Sequence, residues 1–140
     1  MEAVNPPHVL ARLDLAFRAA AKTLQDNVTP VPGLRPSHYR LLDYAPHDGI
    51  RLGHLARRAN ISKQALGEFV AALQTARLVE VTPDPSDGRA RLVTPTPKGR
   101  QVQDQIRRTV TGIEQDLEQR VGTEHWKLFC QVLDALTDPP

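Results

Sequence analysis

The sequence predicts a mainly α-helical fold that carries one small β-hairpin. Over most of its 140 residues, apolar side chains recur at spacings of three and four, as on the buried face of a helix. This pattern is interrupted once, where two short strand-like runs, 78–82 and 90–94, flank the turn-rich segment 83–89. The length fits one ordinary domain, or a compact binding unit with added dimerising helices.

The composition predicts a globular, cytoplasmic protein. Hydrophobic residues make up 40% and charged residues 24% of the chain, with no signal-peptide pattern and no apolar run of membrane-spanning length. A single cysteine, Cys130, rules out an intrachain disulfide and a cysteine-built zinc site. We expect Cys130 to pack as a small hydrophobic side chain. The alternative is a redox-active thiolate with Lys127 as its positive neighbour.

Helices are predicted at both ends of the chain. The first spans roughly residues 8–27, and a short second helix follows from Pro36. A long helix begins at Pro97, because Thr96 before it is a suitable N-cap and proline is tolerated at the first helical position. Gly122 separates this long helix from a last one.

Residues 51–76 read as a short helix, a tight turn and a longer helix. Asn60 lies at the turn, where its tolerance of the left-handed conformation is useful. Ser62 is a good N-cap for the longer helix, which we expect to run to about Ala76. Its buried stripe is predicted to contain Leu66, Phe69, Val70 and Leu73. With the hairpin that follows, this pattern predicts a winged helix-turn-helix.

Such a unit places its second helix in the DNA major groove, with the N-terminal residues of that helix at the bases. Arg89, predicted at the hairpin tip, suits the minor groove, where negative potential is concentrated. Asp87 either pairs with Arg89 or Arg91 to hold the wing arginine, or makes only a local turn contact. The expected DNA-binding residues are Ser62, Lys63, Gln64, Ala65, Gly67, Glu68, Arg89 and Arg91.

The distribution of charge supports a division into three regions. Residues 1–34 are electrically balanced and are predicted to form an N-terminal dimerisation helix and linker. Residues 35–100 carry eleven basic and six acidic side chains and form the predicted DNA-binding domain. Residues 101–140 carry four basic and seven acidic side chains and form C-terminal dimerisation helices. The terminal helices have one-sided apolar faces, so we expect a homodimer with twofold symmetry.

Two motifs give the chain a resemblance to the MarR family of transcriptional regulators. They are Asp87-Gly88-Arg89-Ala90-Arg91 and Thr96-Pro97-Lys98-Gly99-Arg100, which look like the family's wing motif and its threonine-to-glycine start of the long helix. The resemblance spans essentially the whole chain. It implies a homodimeric repressor on a pseudo-palindromic operator, with Arg89 in the minor groove and release by a small aromatic or phenolic ligand.

Three residues depart from the pattern of the family. Glu68 stands where a basic residue is common, and its carboxylate repels phosphate although it can accept from cytosine. Arg77 stands where a glycine commonly ends the recognition helix, so we expect that C-cap to be built differently. Pro95 replaces a usual leucine and removes a backbone donor.

The same resemblance implies a ligand cleft near the first two helices. The residues expected there are His8, Arg12, His38, Tyr39 and Arg40. An arginine or histidine among them would hold a carboxylate, and the alternative for each is a solvated or packing role.

No enzyme, metal site or cofactor is predicted. The five histidines lack metal-ligand spacing, and the chain has neither a glycine-rich phosphate loop nor a nucleophile elbow. The alternative to a DNA-binding regulator is a winged-helix protein-interaction module that has lost strong DNA binding, and Glu68 is the residue that favours it.

Overall fold

The computed structural model describes residues 7–137, and the fold within that range is mainly helical with one small antiparallel sheet, as predicted. The outer parts of the predicted terminal regions, 1–6 and 138–140, lie outside the described residues. The elements, in chain order, are α1 Val9–Asn27, α2 Pro36–Tyr44, β1 Ile50–Arg51, α3 Leu52–Ala59, α4 Lys63–Thr75, β2 Val79–Asp84, β3 Asp87–Pro95, α5 Pro97–Val121 and α6 Thr123–Thr137.

The β-hairpin, called the wing below, is longer than the sequence predicted. Its strands β2 and β3 pair as far as Asp84 opposite Asp87, so the tip is the two-residue segment Pro85-Ser86. Arg89 therefore lies within β3 and not at the tip, which corrects the predicted position. The sheet also contains β1, which pairs with Leu92 and Val93 of β3 and was not predicted because two residues are too short to show a period.

The hydrophobic core lies under the helix-turn-helix. Leu66, Val70 and Leu73 of α4 are buried as predicted, whereas Phe69 is only half-buried. Their fully or almost fully buried partners come from every neighbouring element: Val28, Leu41, Leu42, Leu55, Ala56, Leu78, Val79, Val93, Val102 and Ile106. This shared core fixes α4 and the wing relative to each other.

Helix α4 ends in a Schellman motif although no glycine is present. The N–H of Leu78 donates to the carbonyl oxygen of Leu73 at 2.9 Å, and the N–H of Arg77 donates to that of Gln74 at 2.9 Å. Arg77 adopts a left-handed conformation with φ of 60°, which is the conformation that glycine usually supplies at this position. The expectation of a different C-cap at Arg77 was therefore wrong.

The junction between the wing and α5 depends on a close backbone approach. The Thr96 hydroxyl donates to the carbonyl of Arg77 at 2.6 Å and accepts from the N–H of Gly99 at 3.0 Å. A Cβ at Gly99 would overlap the carbonyl oxygen of Leu78. Only glycine lets the first turn of α5 pack this closely against the end of the recognition helix.

Helix α5 joins the winged lobe to the terminal helices. Its first turns are part of the core, and buried Gln103 donates from Nε2 to the carbonyls of Leu42 and Ala45 at 2.7 and 2.8 Å, which closes the end of α2. Burial falls along the helix, from 3% exposure at Ile106 to 48% at Val121. The predicted boundary at residue 100 thus falls in the part of α5 that stabilises the winged lobe.

The terminal helices leave apolar side chains uncovered. Neither α1 nor α6 has a fully buried residue in the described chain. Their exposed large hydrophobic residues are Val9, Leu10, Leu15, Phe17, Leu128, Phe129, Val132 and Leu136. None of the helices between residues 7 and 137 combines the length and hydrophobicity that crossing a membrane requires.

Candidate nucleic-acid interface

The recognition helix α4 presents its N-terminal turns to solvent. Lys63, Gln64, Gly67 and Glu68 are exposed, and Ala65 is half-buried. The Ser62 hydroxyl accepts from the N–H of Ala65 at 3.1 Å, which is the predicted N-cap. The oxygen of Ser62 is thus committed to the helix end, and its hydroxyl proton stays available for a phosphate.

The turn before α4 has the geometry that the sequence predicted. Asn60 adopts φ of 54° and ψ of 48°, which is left-handed, and its N–H donates to the carbonyl of Arg57 at 3.1 Å. The N–H of Ile61 donates to the carbonyl of Ala56 at 3.0 Å, so the turn closes α3 without unpaired donors. This tight turn sets the exposed face of α4 beside α3.

A groove lies between α4 and the wing, and we call it the basic groove. It brings together four of the predicted DNA-binding residues, Lys63, Gly67, Arg89 and Arg91. Its other lining residues are Arg51, Leu52, Gly53, His54, Arg57, Leu66 and Ala90. The remaining predicted contacts, Ser62, Gln64, Ala65 and Glu68, are on α4 but do not line this groove.

Two of the basic side chains in this groove were not assigned to the site from sequence. Arg57 is exposed on α3, and no carboxylate within residues 7–137 forms a salt bridge with it. Arg51 ends β1, directly before α3. The one available signal in the sequence was the run of basic residues on the first helix of the helix-turn-helix, which also carries His54.

Asp87 stabilises the wing through its side-chain carboxylate, which bonds a backbone N–H of β3. Its Oδ1 accepts from the N–H of Arg89 at 3.1 Å, which is the local turn contact. Within the described chain no salt bridge joins Asp87 to Arg89 or Arg91, so both guanidinium groups stay exposed on the same side of β3. Of the two alternatives considered for Asp87, the structure therefore has the local turn contact and not the ion pair with a wing arginine.

The charged contact that holds the wing tip is made by Asp84 and Arg51, which the sequence analysis missed. Arg51 Nε donates to Asp84 Oδ2 at 2.6 Å, and Asp84 Oδ1 accepts from the backbone N–H and the hydroxyl of Ser86 at 2.9 and 2.8 Å. Hydrogen bonds from Ser86, first from its backbone and then from its side chain, together with Arg51, lower the pKa of Asp84. The carboxylate is 8% exposed and ionised near neutral pH.

The five predicted ligand residues are not gathered into one cavity. His8 accepts from the N–H of Ala11 at 3.3 Å and so caps α1, while Arg12 Nε donates to the carbonyl of Pro7 at 2.8 Å. Both side chains lie at the exposed start of α1. Their observed contacts are those of local helix capping.

The other three predicted ligand residues lie on α2. His38 is buried, accepts from the N–H of Arg35 at 2.8 Å and packs edge-on against Phe69 of α4, with ring centroids 5.0 Å apart. Burial lowers the pKa of His38, so its ring is neutral near pH 7. The Tyr39 hydroxyl accepts from the N–H of Val31 at 2.9 Å, and Arg40 is exposed. His38 and Tyr39 thus have packing roles.

A larger groove, the terminal groove, lies between α1, α5 and α6. It measures roughly 970 Å³ and is mainly apolar. Small residues of α1 form one wall, and Trp126 and Phe129 of α6, with ring centroids 5.9 Å apart, form another. None of the five predicted ligand residues lines it. Cys130 is half-buried on α6, and nearby Lys127 forms an ion pair with Glu124 at 3.9 Å.

No group of three or more potential metal ligands occurs in the part of the chain that the structure describes. Basic side chains line one groove, and mainly apolar side chains line the other.

The architecture is that of a winged helix-turn-helix protein, and comparison with known proteins shows what the chain is similar to. A family model described as the MarR family matches residues 33–90, which include α2, the helix-turn-helix and most of the wing. No curated protein sequence matches the chain significantly. Over residues 33–90 the chain is therefore similar to the MarR family, and the solved structures below show the same fold over nearly its whole length.

Solved structures share the fold over nearly the full chain. The PcaV transcriptional regulator from Streptomyces coelicolor, in complex with its natural ligand, is 19% identical with a TM-score of 0.77, covering 99% of this chain and 98% of that one. BpsR of Bordetella bronchiseptica is 22% identical with a TM-score of 0.76, covering 97% and 100%. The repressor CouR, bound to a 23-mer DNA duplex, is 23% identical with a TM-score of 0.76, covering 94% and 93%.

Proposed function

We propose that the protein is a sequence-specific DNA-binding transcriptional regulator, acting as a repressor on a pseudo-palindromic operator. The observation that carries this proposal is the basic groove, where Lys63 of α4 and the exposed Arg89 and Arg91 of the wing lie together beside the free face of the recognition helix. Clustered cations next to an exposed helix suit a phosphate backbone with an accessible major groove.

Helix α4 is proposed to read base edges. Gln64 is exposed near its N-terminus and can donate to and accept from adenine at the same time, while Lys63 can donate to guanine or hold a phosphate. Gly67 permits close approach, since no atom lies within 4 Å of the position its Cβ would occupy. Ala65 can contact a thymine methyl group, and Glu68 favours a cytosine partner at its position.

The wing is proposed to follow the adjacent minor groove. Arg89 and Arg91 are alternate residues of β3, so their side chains leave the same face of the strand. Both are exposed and neither is neutralised by a salt bridge within residues 7–137. We assign Arg89 to the minor groove and Arg91 to the phosphates beside it.

A homodimer is proposed as the DNA-binding form. Helices α1 and α6 expose large apolar side chains, among them Phe17 at 58%, Leu128 at 57% and Leu136 at 67%. Large apolar side chains exposed in this number suit a protein interface, and a second copy would supply a matching surface by twofold symmetry. The dimer then presents two α4 helices to successive major grooves.

A small aromatic or phenolic acid is proposed as the effector that releases DNA. PcaV was solved with its natural ligand, and DNA binding by BpsR is described as regulated by 6-hydroxynicotinic acid. In this chain either Arg12 of α1 or Arg40 of α2, both exposed, is proposed to hold the carboxylate. His8, His38 and Tyr39 do not take part in this proposed contact, because His8 caps α1 and the other two side chains are packed within the fold.

The function is tested by titrating duplex DNA at several salt concentrations. A regulator that neutralises several phosphates loses affinity steeply as salt rises, with a log–log slope of about −0.9 for each phosphate contact. Lys63→Gln is expected to make the slope shallower by about 0.9, the value for one phosphate contact. Lys22→Gln on α1 is expected to leave the slope unchanged. Weak binding with little salt dependence would favour the alternative, a winged-helix module that binds protein partners. The exposed carboxylate of Glu68 is the feature that supports this alternative.

A further inference from the structure

Arg51 connects the wing to the helix-turn-helix. Its backbone pairs with Leu92 of β3, and the next residue begins α3. From this position its side chain extends along the sheet, with Nε donating to Asp84 at 2.6 Å and Nη2 donating to the Ser86 hydroxyl at 3.3 Å. One side chain therefore joins the base of α3 to the tip of a hairpin 33 residues away in sequence.

Asp84 is fully engaged in this network. One carboxylate oxygen accepts a hydrogen bond from the guanidinium of Arg51, and the other accepts hydrogen bonds from both the N–H and the hydroxyl of Ser86. Asp84 is also the last residue of β2, next to an irregularity in the β2–β3 register. Hydrogen bonds to an ionised group are stronger than neutral ones, and this group is almost excluded from water.

The outer half of the wing has little other support. Strand β1 pairs only with Leu92 and Val93, so residues 84–91 have no third strand beside them. An isolated two-stranded hairpin is marginally stable in water. Arg89 and Arg91 lie in this unsupported part, and their positions therefore depend on what ties down the tip.

We propose that Arg51 is a positioning residue of the DNA interface: through Asp84 and Ser86 it holds the wing tip beside α4, and it does not bind phosphate itself. This inference rests on the proposed DNA-binding function. Although Arg51 lines the basic groove, its charge is matched by Asp84 at 2.6 Å. Arg57 differs from Arg51 in this respect, because it is exposed in the same groove and has no salt bridge in the described chain.

The test compares DNA affinity and salt dependence among variants that separate these two roles. Arg51→Met and Asp84→Ala are each expected to weaken binding about tenfold, as loss of one charge-assisted contact would, with the salt slope unchanged. The double variant is expected to lose no more than either single one, because both break the same tie. Arg57→Met is the matched control and is expected to reduce the slope by about 0.9.

A phosphate-binding Arg51 gives the opposite result for Asp84. Removing the carboxylate would then free a cation for DNA and remove a repelling charge, so Asp84→Ala would tighten binding. That outcome, or a slope reduced by about 0.9 in Arg51→Met, overturns the proposal.

A measurement without DNA separates the failure of this inference from the failure of the proposed function. Amide hydrogen exchange is measured at Ser86 in the tip and at Arg89 in the adjoining part of β3, whose N–H groups donate to Asp84 and Asp87. Exchange at both is expected to accelerate at least tenfold in Arg51→Met but not in Arg57→Met. Unchanged exchange at the tip overturns the positioning role even if DNA binding is intact. If neither the parent nor any variant binds DNA, faster amide exchange in Arg51→Met still shows that Arg51 holds the wing tip.

Discussion

Two residues of the described chain other than glycine adopt a positive φ, and both lie at ends of the helices that form the helix-turn-helix. Asn60 closes α3 with φ of 54°, and Arg77 closes α4 with φ of 60°. Asparagine tolerates this conformation, whereas arginine is strained in it because Cβ approaches the following carbonyl. The strained backbone at Arg77 therefore lowers the stability of the folded protein.

Replacing Arg77 by glycine is expected to stabilise the protein. The strain at a left-handed residue is about 1–2 kcal/mol, partly offset by the greater freedom of glycine in the unfolded chain, so we expect a net gain of about 1 kcal/mol. Urea unfolding of Arg77→Gly measures the gain. Arg77→Ala is the matched control, because it removes the same side chain and keeps the strain. Equal stability of the two variants would show that φ is not the cause.

Arg89 is the wing residue whose loss is expected to affect DNA binding most directly. It is exposed on β3 and free of salt bridges within residues 7–137. Arg89→Ala is expected to weaken DNA binding by about 1–3 kcal/mol while the dimer persists. Fluorescence anisotropy with a labelled duplex measures the affinity, and sedimentation measures the oligomer. Unchanged affinity would contradict the assignment of Arg89 to the minor groove.

At the scale of elements, the contact between the end of α4 and the start of α5 fixes the wing to the recognition helix. Gly99→Ala is expected to destabilise the protein by about 1–3 kcal/mol, since its Cβ would overlap the backbone carbonyl of Leu78. Gly112 lies in the same helix, and the position that a Cβ would occupy there is open. Gly112→Ala is therefore expected to stabilise the protein by about 0.5–1 kcal/mol, because alanine favours a helix more than glycine does. Thermal unfolding at one protein concentration compares them. A loss of equal size at both positions would refute the role of the close approach.

The tie between the wing and α3 predicts a dependence on pH. The pKa of Asp84 is lowered in the folded protein, so its contribution to stability is complete above the ordinary carboxyl pKa of about 3.9 and is lost as pH falls through the lower folded value. Asp84→Asn is therefore expected to be less stable than the parent at pH 6, and the difference is expected to shrink below about pH 4. Urea unfolding across this range checks it. A difference that is constant with pH would contradict the account.

Sequence patterns predicted the elements well where caps and apolar spacing agree. Ser62, Asn60 and Thr96 occupy the predicted caps and turn, because each acts on backbone atoms only a few residues away. The contacts that position the basic groove could not be predicted this way. Arg51 meets Asp84 33 residues away, and Gln103 meets Leu42 61 residues away, so neither pairing leaves a local pattern.

The wing illustrates the same limit. Turn-forming residues over 83–89 predicted a broad loop, yet the strands continue through most of that segment. Pro83 and Pro85 lower the local strand propensity, but pairing across the hairpin and the bonds to Asp84 outweigh it. The residue types needed at the site were thus visible in the sequence, while the location of Arg89 depended on tertiary contacts.

At the scale of the whole molecule, the exposed apolar side chains of α1 and α6 are proposed to form the dimer interface. Leu136→Asp is expected to weaken the proposed dimer at least tenfold, since a carboxylate would be buried without a partner in the interface. Gln131→Asp, which adds the same charge at an exposed site on the same helix, is the control. Analytical ultracentrifugation over a range of concentrations measures the dissociation. Equal dimer stability in both variants would remove Leu136 from the interface.

The central claim is that two copies of this winged fold read one DNA site together. Selection of bound duplexes from a random pool tests it most directly, with the parent protein and Arg89→Ala run in parallel. The account predicts enrichment of a palindrome whose half-sites are about 10 base pairs apart for the parent, and a marked loss of enrichment for the variant. Enrichment of no sequence, or of a single half-site without symmetry, would contradict it.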